Sequence, residues 1–142
     1  MMLVPYSSHE SRVPGYLREG DAGIDLSAAC NMTLQPFERA LIPTGIKLAI
    51  PRGYGGFVLP RSGLALKKGL SIVNSPGLID SNYRGEVQII AVNLDPNEPI
   101  VVTKGDRIAQ LVILRTEEVS FKKHDQLDET LRGESGFGSS GV

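Results

Sequence analysis

Pro60-Arg61-Ser62-Gly63 puts a guanidinium, a hydroxyl and a glycine in consecutive positions where a short helix can begin. Free backbone N–H groups at such a start, with Arg and Ser beside them, suit a phosphate. The same tetrad also suits a plain surface helix capped by Ser62, with Arg61 solvated. A second set, Gly77 to Gly85, lies between two apolar runs and holds Asp80 and Tyr83. A carboxylate on a hairpin there could act as a general base, and the ring three residues on could pack against a sugar. Turns also gather Asp, Ser, Asn and Gly for conformational reasons alone. A third set joins one cation, Arg132, to one aromatic, Phe137, in a Gly/Ser chain running to Gly141. Such a segment either folds over a ligand, its N–H groups and guanidinium on phosphates and its ring on a base, or stays a disordered tail.

Other chemistries find no support. Residues 136–141 spell GxGxxG, but no strand precedes them and no helix follows, so they are no dinucleotide fingerprint. His9 and His124 have no partners at metal-ligand spacing, and no Walker A or HExxH pattern occurs. Cys30 is the only cysteine, which excludes an intramolecular disulfide and points to a reducing compartment. It follows Ala28-Ala29 and reads as a small buried residue rather than half of a Cys–His pair. The net charge of −1 provides no general basic surface for a nucleic-acid backbone, so an anionic ligand needs a local set of donors.

Strands must position these groups. Ile46, Leu48 and Ile50 alternate with Lys47 and Ala49, and apolar, β-branched runs cover 86–94, 100–103 and 108–114. Val119 and Phe121 suggest a weaker strand. Turns are expected at Pro51-Arg52-Gly53, Tyr54-Gly55-Gly56, Asp95-Pro96-Asn97 and Lys104-Gly105-Asp106. In 108–114 only Gln110 is polar, as in a strand buried on both faces. One helix is expected over Gly63 to Lys68, started by Ser62 and stopped by Gly69. With 142 residues, 16 Gly, 9 Pro and no Trp, the fold class is all-β, a sandwich or jelly roll in a single domain. No signal peptide is read at the N-terminus and no apolar run reaches the roughly 18 residues of a membrane span, so a cytoplasmic protein without a membrane partner is expected.

Five segments in order carry a more specific signal: DAGIDLSA (21–28), PRSGLAL (60–66), NSPGLIDSNYRGEV (74–87), GDRIAQLV (105–112) and RGESGFGSSG (132–141). Together they resemble the five ordered motifs of the trimeric dUTPase family, which hydrolyses dUTP to dUMP and pyrophosphate with Mg²⁺. The resemblance implies a distorted jelly roll assembled as a homotrimer, each site at a subunit interface, with 132–142 as a lid over a neighbour's site. In this family the first, second and fourth motifs of a site come from one subunit, the third from a neighbour and the tail from another. By matching position it makes Asp80 the general base and Tyr83 the ring beneath the deoxyribose. Asn74, with backbone around Leu78, Ile79 and Gln88, becomes the uracil reader. Arg61, Ser62, Gly63 and Gln110 become phosphate contacts, and Arg132 reaches the γ-phosphate. Phe137 stacks on uracil while Gly138 and Ser139 close on the chain, and Asp25 holds the hydrated metal through water. Asn82 departs from a position where the family often has an acid, which touches only local hydrogen bonding.

Two rivals share the scaffold. A dCTP deaminase needs a Glu midway along the strand after the third motif, where this chain reads Val87-Gln88-Ile89-Ile90-Ala91-Val92. The other is a non-catalytic trimer that binds a nucleotide or protein partner on the same scaffold; a purely structural protein would have no need of Asp80, Gln110, Arg132 and Phe137 together.

Overall fold

Every second side chain between Glu86 and Asn93 is buried, with Val87, Ile89, Ala91 and Asn93 turned inward, as the two-residue period of an extended chain requires. A computed structural model of the protein describes residues 2–8 and 14–136. Among these the elements run β1 (Tyr6–Ser8), β2 (Ile24–Ser27), β3 (Met32–Leu34), β4 (Arg39–Leu48), β5 (Tyr54–Pro60), α1 (Ser62–Lys68), β6 (Leu70–Ile72), β7 (Gly77–Ile79), β8 (Glu86–Asn93), β9 (Ile100–Val102) and β10 (Arg107–Arg115). One sheet has the order β1-β4-β8-β6 and a second the order β2-β10-β5-β7, while β3 and β9 form a small third. All pairings are antiparallel. Ile42 and Ile89 from the first sheet meet Leu26 and Leu111 from the second in one core, each at most 2% exposed. The all-β expectation holds, with the one short helix as the exception.

Asn93 is a polar residue fully buried beside that core. Its amide donates to the carbonyls of Leu34 (3.1 Å) and Glu98 (2.9 Å), and its oxygen accepts from the Asp95 N–H (2.8 Å). The side chain thereby ties β8 to β3 and to the turn before β9, with every polar atom satisfied. In that turn the N–H groups of Asn97 and Glu98 both donate to the Asp95 carboxylate at 2.9 Å and hold its pKa below the usual carboxylate value.

Four local expectations are corrected. Tyr54-Gly55-Gly56 is the start of β5, not a turn. A Cβ on Gly56 would sit 2.9 Å from Ile50 Cδ1 and 3.1 Å from Leu111 Cδ1, so glycine here answers to tight sheet packing. Residues around Val119 and Phe121 form no strand among the described residues, and Phe121 is 97% exposed. Ser62 is the first helical residue rather than the cap: Arg61 occupies the cap position with extended backbone and makes no side-chain cap bond. Gly69 ends the helix in the left-handed conformation as expected. Finally, β7 and β8 do not form a hairpin. Each belongs to a different sheet, and residues 80–85 cross from one sheet to the other. No helix among the described residues is long and apolar enough to cross a membrane.

Candidate active site

Strand β10 lies between β2 and β5, and its register sets Gln110 opposite Asp25 on one side and Leu59 on the other. This brings the first, second and fourth motifs to one cleft of about 740 Å³, lined by Asp25, Arg61, Ser62, Gly63, Arg107 and Gln110 among others. The Gln110 amide donates to the Pro60 carbonyl (3.0 Å), which fixes its orientation at the end of β5. Asp25 is gripped from two sides. Its Oδ1 lies 3.2 Å from Arg61 Nε and its Oδ2 3.0 Å from Arg107 Nη1. Arg61 Nη1 also donates to the main-chain carbonyl of Arg107 (2.7 Å). Lys67 and Arg18 stand at the same cleft. Two guanidiniums against one carboxylate leave the centre positive, which suits an anion of high charge.

The third motif builds a different cleft, of about 260 Å³, between β7 and β8. Asn74, Leu78, Ile79, Asp80, Tyr83 and Gln88 all line it. Strand β7 is the edge of its sheet. Strand β6 pairs with β8 only over Ala91 to Asn93, and beyond that Val73 N–H reaches the Ile90 carbonyl. The stretch from Glu86 to Ile89 is therefore open on that side. Two strands that diverge into separate sheets leave backbone donors and acceptors facing the gap, which can read the edge of a planar polar ring. The crossing loop is held by its own bonds. Tyr83 O–H donates to the Glu86 carbonyl (3.0 Å), and Arg84 Nη1 donates to the carbonyls of Ser81 and Tyr83 (2.7 Å each). The Tyr83 ring lies over residue 85, where a Cβ would collide with it, so any larger residue there must push the ring aside.

The two clefts share no lining residue. Within one chain Asp80 and Tyr83 stand in one and the arginines in the other. Arg132 lines neither; it sits exposed in a turn with its Nε donating to the Ser135 carbonyl (2.8 Å). Phe137, Gly138 and Ser139 lie outside the described residues. Among those described, no group of three or more His, Cys, Asp or Glu is placed to hold a metal. Arg107 and Lys67 are site residues that the sequence does not disclose. In a regular strand residues 107 and 110 point to opposite faces, but the register shifts between Arg107 and Ala109, and this bulge lets both line one cleft.

A positive cleft for an anion and a second cleft with open backbone edges define an all-β protein made for a ligand that is part phosphate and part planar ring. A family model described as dUTPase matches residues 9–141. The deoxyuridine 5'-triphosphate nucleotidohydrolase of Corynebacterium glutamicum is 51% identical over 93% of this chain and 89% of its own length. That of Cutibacterium acnes is 49% identical over 99% of this chain and 93% of its own. Among solved structures, the Staphylococcus bacteriophage 80alpha dUTPase with dUPNHPP covers all of both chains at 31% identity and a TM-score of 0.91. A variant dUTPase of S. aureus phage phi11, solved with a structural Mg(II) ion, covers 88% of this chain and 98% of its own at 26% identity and a TM-score of 0.81. The chain belongs to the dUTPase family.

Proposed function

We propose that the protein hydrolyses dUTP to dUMP and pyrophosphate at sites completed between the subunits of a homotrimer. One observation carries this reading: the two clefts are chemically complementary halves that share no residue within a chain. A nucleoside triphosphate needs both halves at once, and a neighbouring copy supplies the missing one. The reaction would keep uracil out of DNA and supply dUMP for dTMP synthesis.

In the β7–β8 cleft, Asn74 and the backbone at Leu78, Ile79 and Gln88 match the donor–acceptor edge of uracil, which cytosine does not reproduce. Tyr83 lies beneath the deoxyribose and leaves no room for a 2′-hydroxyl. Asp80 takes a proton from the water that attacks the α-phosphorus. Across the interface Arg61, Ser62, Gly63 and Gln110 hold the phosphates in line for that attack. Ser62, the first residue of the helix, lines the cleft beside Arg61. Residues 132–142 act as a lid: Arg132 meets the γ-phosphate, Phe137 stacks on uracil, and Gly138 and Ser139 close over the chain.

The residues present fit a hydrated Mg²⁺. Two of the roughly four lone-pair sites of the Asp25 carboxylate meet guanidiniums, and the others can bind water on the ion. Mg²⁺ keeps several waters and takes substrate phosphates as ligands, so one carboxylate suffices. When bound, the ion neutralises phosphate charge and eases departure of pyrophosphate.

Pyrophosphate release from dUTP, UTP and dCTP, with and without Mg²⁺, tests the reading. Turnover confined to dUTP and dependent on the metal is expected; ammonia released from dCTP, or no turnover at all, would overturn it. Deleting 132–142 is expected to leave the fold and trimer intact and to lower turnover by about 10²-fold, as loss of phosphate donors does elsewhere. Unchanged turnover in the deleted chain would remove the lid.

A further inference from the structure

We propose that Arg107 is a positioning residue for triphosphate binding, acting through Asp25 and Arg61 rather than by touching the substrate; this rests on the dUTP reading above. The geometry is a closed triangle. Arg107 Nη1 holds Asp25 Oδ2 (3.0 Å), Asp25 Oδ1 holds Arg61 Nε (3.2 Å), and Arg61 Nη1 returns to the Arg107 carbonyl (2.7 Å). Arg61 is thus held by one N–H on a carbonyl and by its Nε in ion-pair range of Asp25. Its other N–H bonds are left for an anion. Both fixed contacts lead back to residue 107, one through its carbonyl and one through the carboxylate that its guanidinium restrains.

Charge gives the triangle its second purpose. Asp25 stands in the same cleft as the groups proposed to bind phosphates. A carboxylate there repels an anion unless its own charge is met. Within the triangle Arg61 alone would only cancel Asp25, and Arg107 makes the three net positive; Arg18, Lys67 and Asp21 stand farther along the same cleft. The side chains of Arg107, Arg61 and Asp25 are 42%, 29% and 22% exposed. Water therefore screens the set in part, and its effect is moderate and salt-dependent rather than all-or-none. The bulge between Arg107 and Ala109 makes the arrangement possible, because it turns Arg107 to the face that Gln110 already occupies.

A structural role would weaken every ligand alike, whereas a positioning role falls on the charge-rich one. The experiment measures equilibrium binding of dUMP and of a non-hydrolysable imido analogue of dUTP, with Mg²⁺, to full-length wild type, Arg107→Gln and Arg107→Lys, with thermal melts alongside. Arg107→Gln is expected to weaken the analogue by about 10-fold, the size of one charge-assisted contact, and dUMP by less than about two-fold. Lysine is expected to recover most of the loss by restoring the charge. Asp25→Asn combined with Arg107→Gln is expected to lose less than the product of the two single losses, since the residues share one network. Equal weakening of dUMP and analogue, no weakening of either, or strict multiplicativity would each overturn the proposal. If the glutamine variant does not fold, Arg107→Met, uncharged and of similar length, decides: it must weaken the analogue by about 10-fold while sparing dUMP. Wild type that fails to release pyrophosphate from dUTP points instead to failure of the functional reading, and it is recognised before any variant is compared.

Discussion

The Asp25–Arg61–Arg107 cleft and the β7–β8 cleft solve different recognition problems with different parts. The first is made of side chains from two strands, a helix start and the loop before β2, and its ion pairs fix where positive charge stands. The second lies where two sheets part company, with open strand edges beside the side chains of Asn74, Asp80 and Tyr83. Charge recognition tolerates adjustable side chains because Coulomb attraction varies slowly with distance. Discrimination between similar rings depends on direction, and main-chain groups set in strands supply directions that no rotamer change can alter. In the proposed function, affinity for phosphate rests with one half and choice of nucleoside with the other.

The strongest way to break that division is Asp80→Asn, which keeps the shape of the nucleoside half and removes its proton acceptor. Turnover is expected to fall by about 10²-fold or more, general-base catalysis being worth about 10²–10⁴. Binding of the imido analogue, measured by calorimetry, should move far less. Next in size is complementation. Asp80→Asn and Arg61→Ala chains, each inactive alone, are expected to regain about a quarter of wild-type sites when co-refolded in equal amounts, because each site then draws its halves from two chains. Hetero-trimers shown by mass spectrometry but lacking activity would place both halves in one chain.

Tyr83→Ala sharpens the comparison within the nucleoside half. Competition kinetics should show the preference for dUTP over UTP narrowed by about 10-fold, with the preference over dCTP changed less, since unmatched hydrogen bonds enforce the latter. The smallest effect is expected from Gly85→Ala. The added methyl pushes the Tyr83 ring aside and costs about 1–3 kcal/mol of overpacking in a melt. Its UTP preference should shift in the same direction as in Tyr83→Ala, but by less. A shift in phosphate affinity instead would mean that the halves are not separable.

How much of this was written plainly in the sequence differs between the halves. Asp80, Tyr83 and Asn74 fall within one segment, and the structure gathers them in one cleft. The apolar runs at 86–94 and 108–114 become β8 and β10, the first with every second side chain buried and the second nearly all apolar. Where the period breaks, the chain was harder to follow. Strand β4 begins at Arg39, but its register shifts between Pro43 and Lys47 and Gly45 takes a φ of 71°, so only its last part alternates visibly. Strand β5 opens with two buried glycines that look like a turn until Ile50, Ile79 and Leu111 are seen to need the space. The role of Arg107 was hidden for the same reason, since a bulge, not a residue type, decides which way it points. Whether a loop joins two strands of one sheet or crosses between two depends on partners distant in sequence, which no local pattern at 80–85 contains.

The position of β10 between β2 and β5 also dictates when the phosphate half can exist during synthesis. Strand β2 has β10 as its only neighbour in the sheet, and Asp25 and Arg107 are 82 residues apart. At about 5–20 residues per second, a ribosome needs roughly 4 to 16 s to deliver the second after the first. Until then Ile24–Ser27 has no strand to join and Asp25 lacks one of its two guanidiniums. A nascent chain stalled before Arg107 would carry the complete nucleoside segment, Asn74 to Gln88, without the centre that grips phosphate. In the proposed function, competence for a triphosphate therefore waits on the synthesis of Arg107.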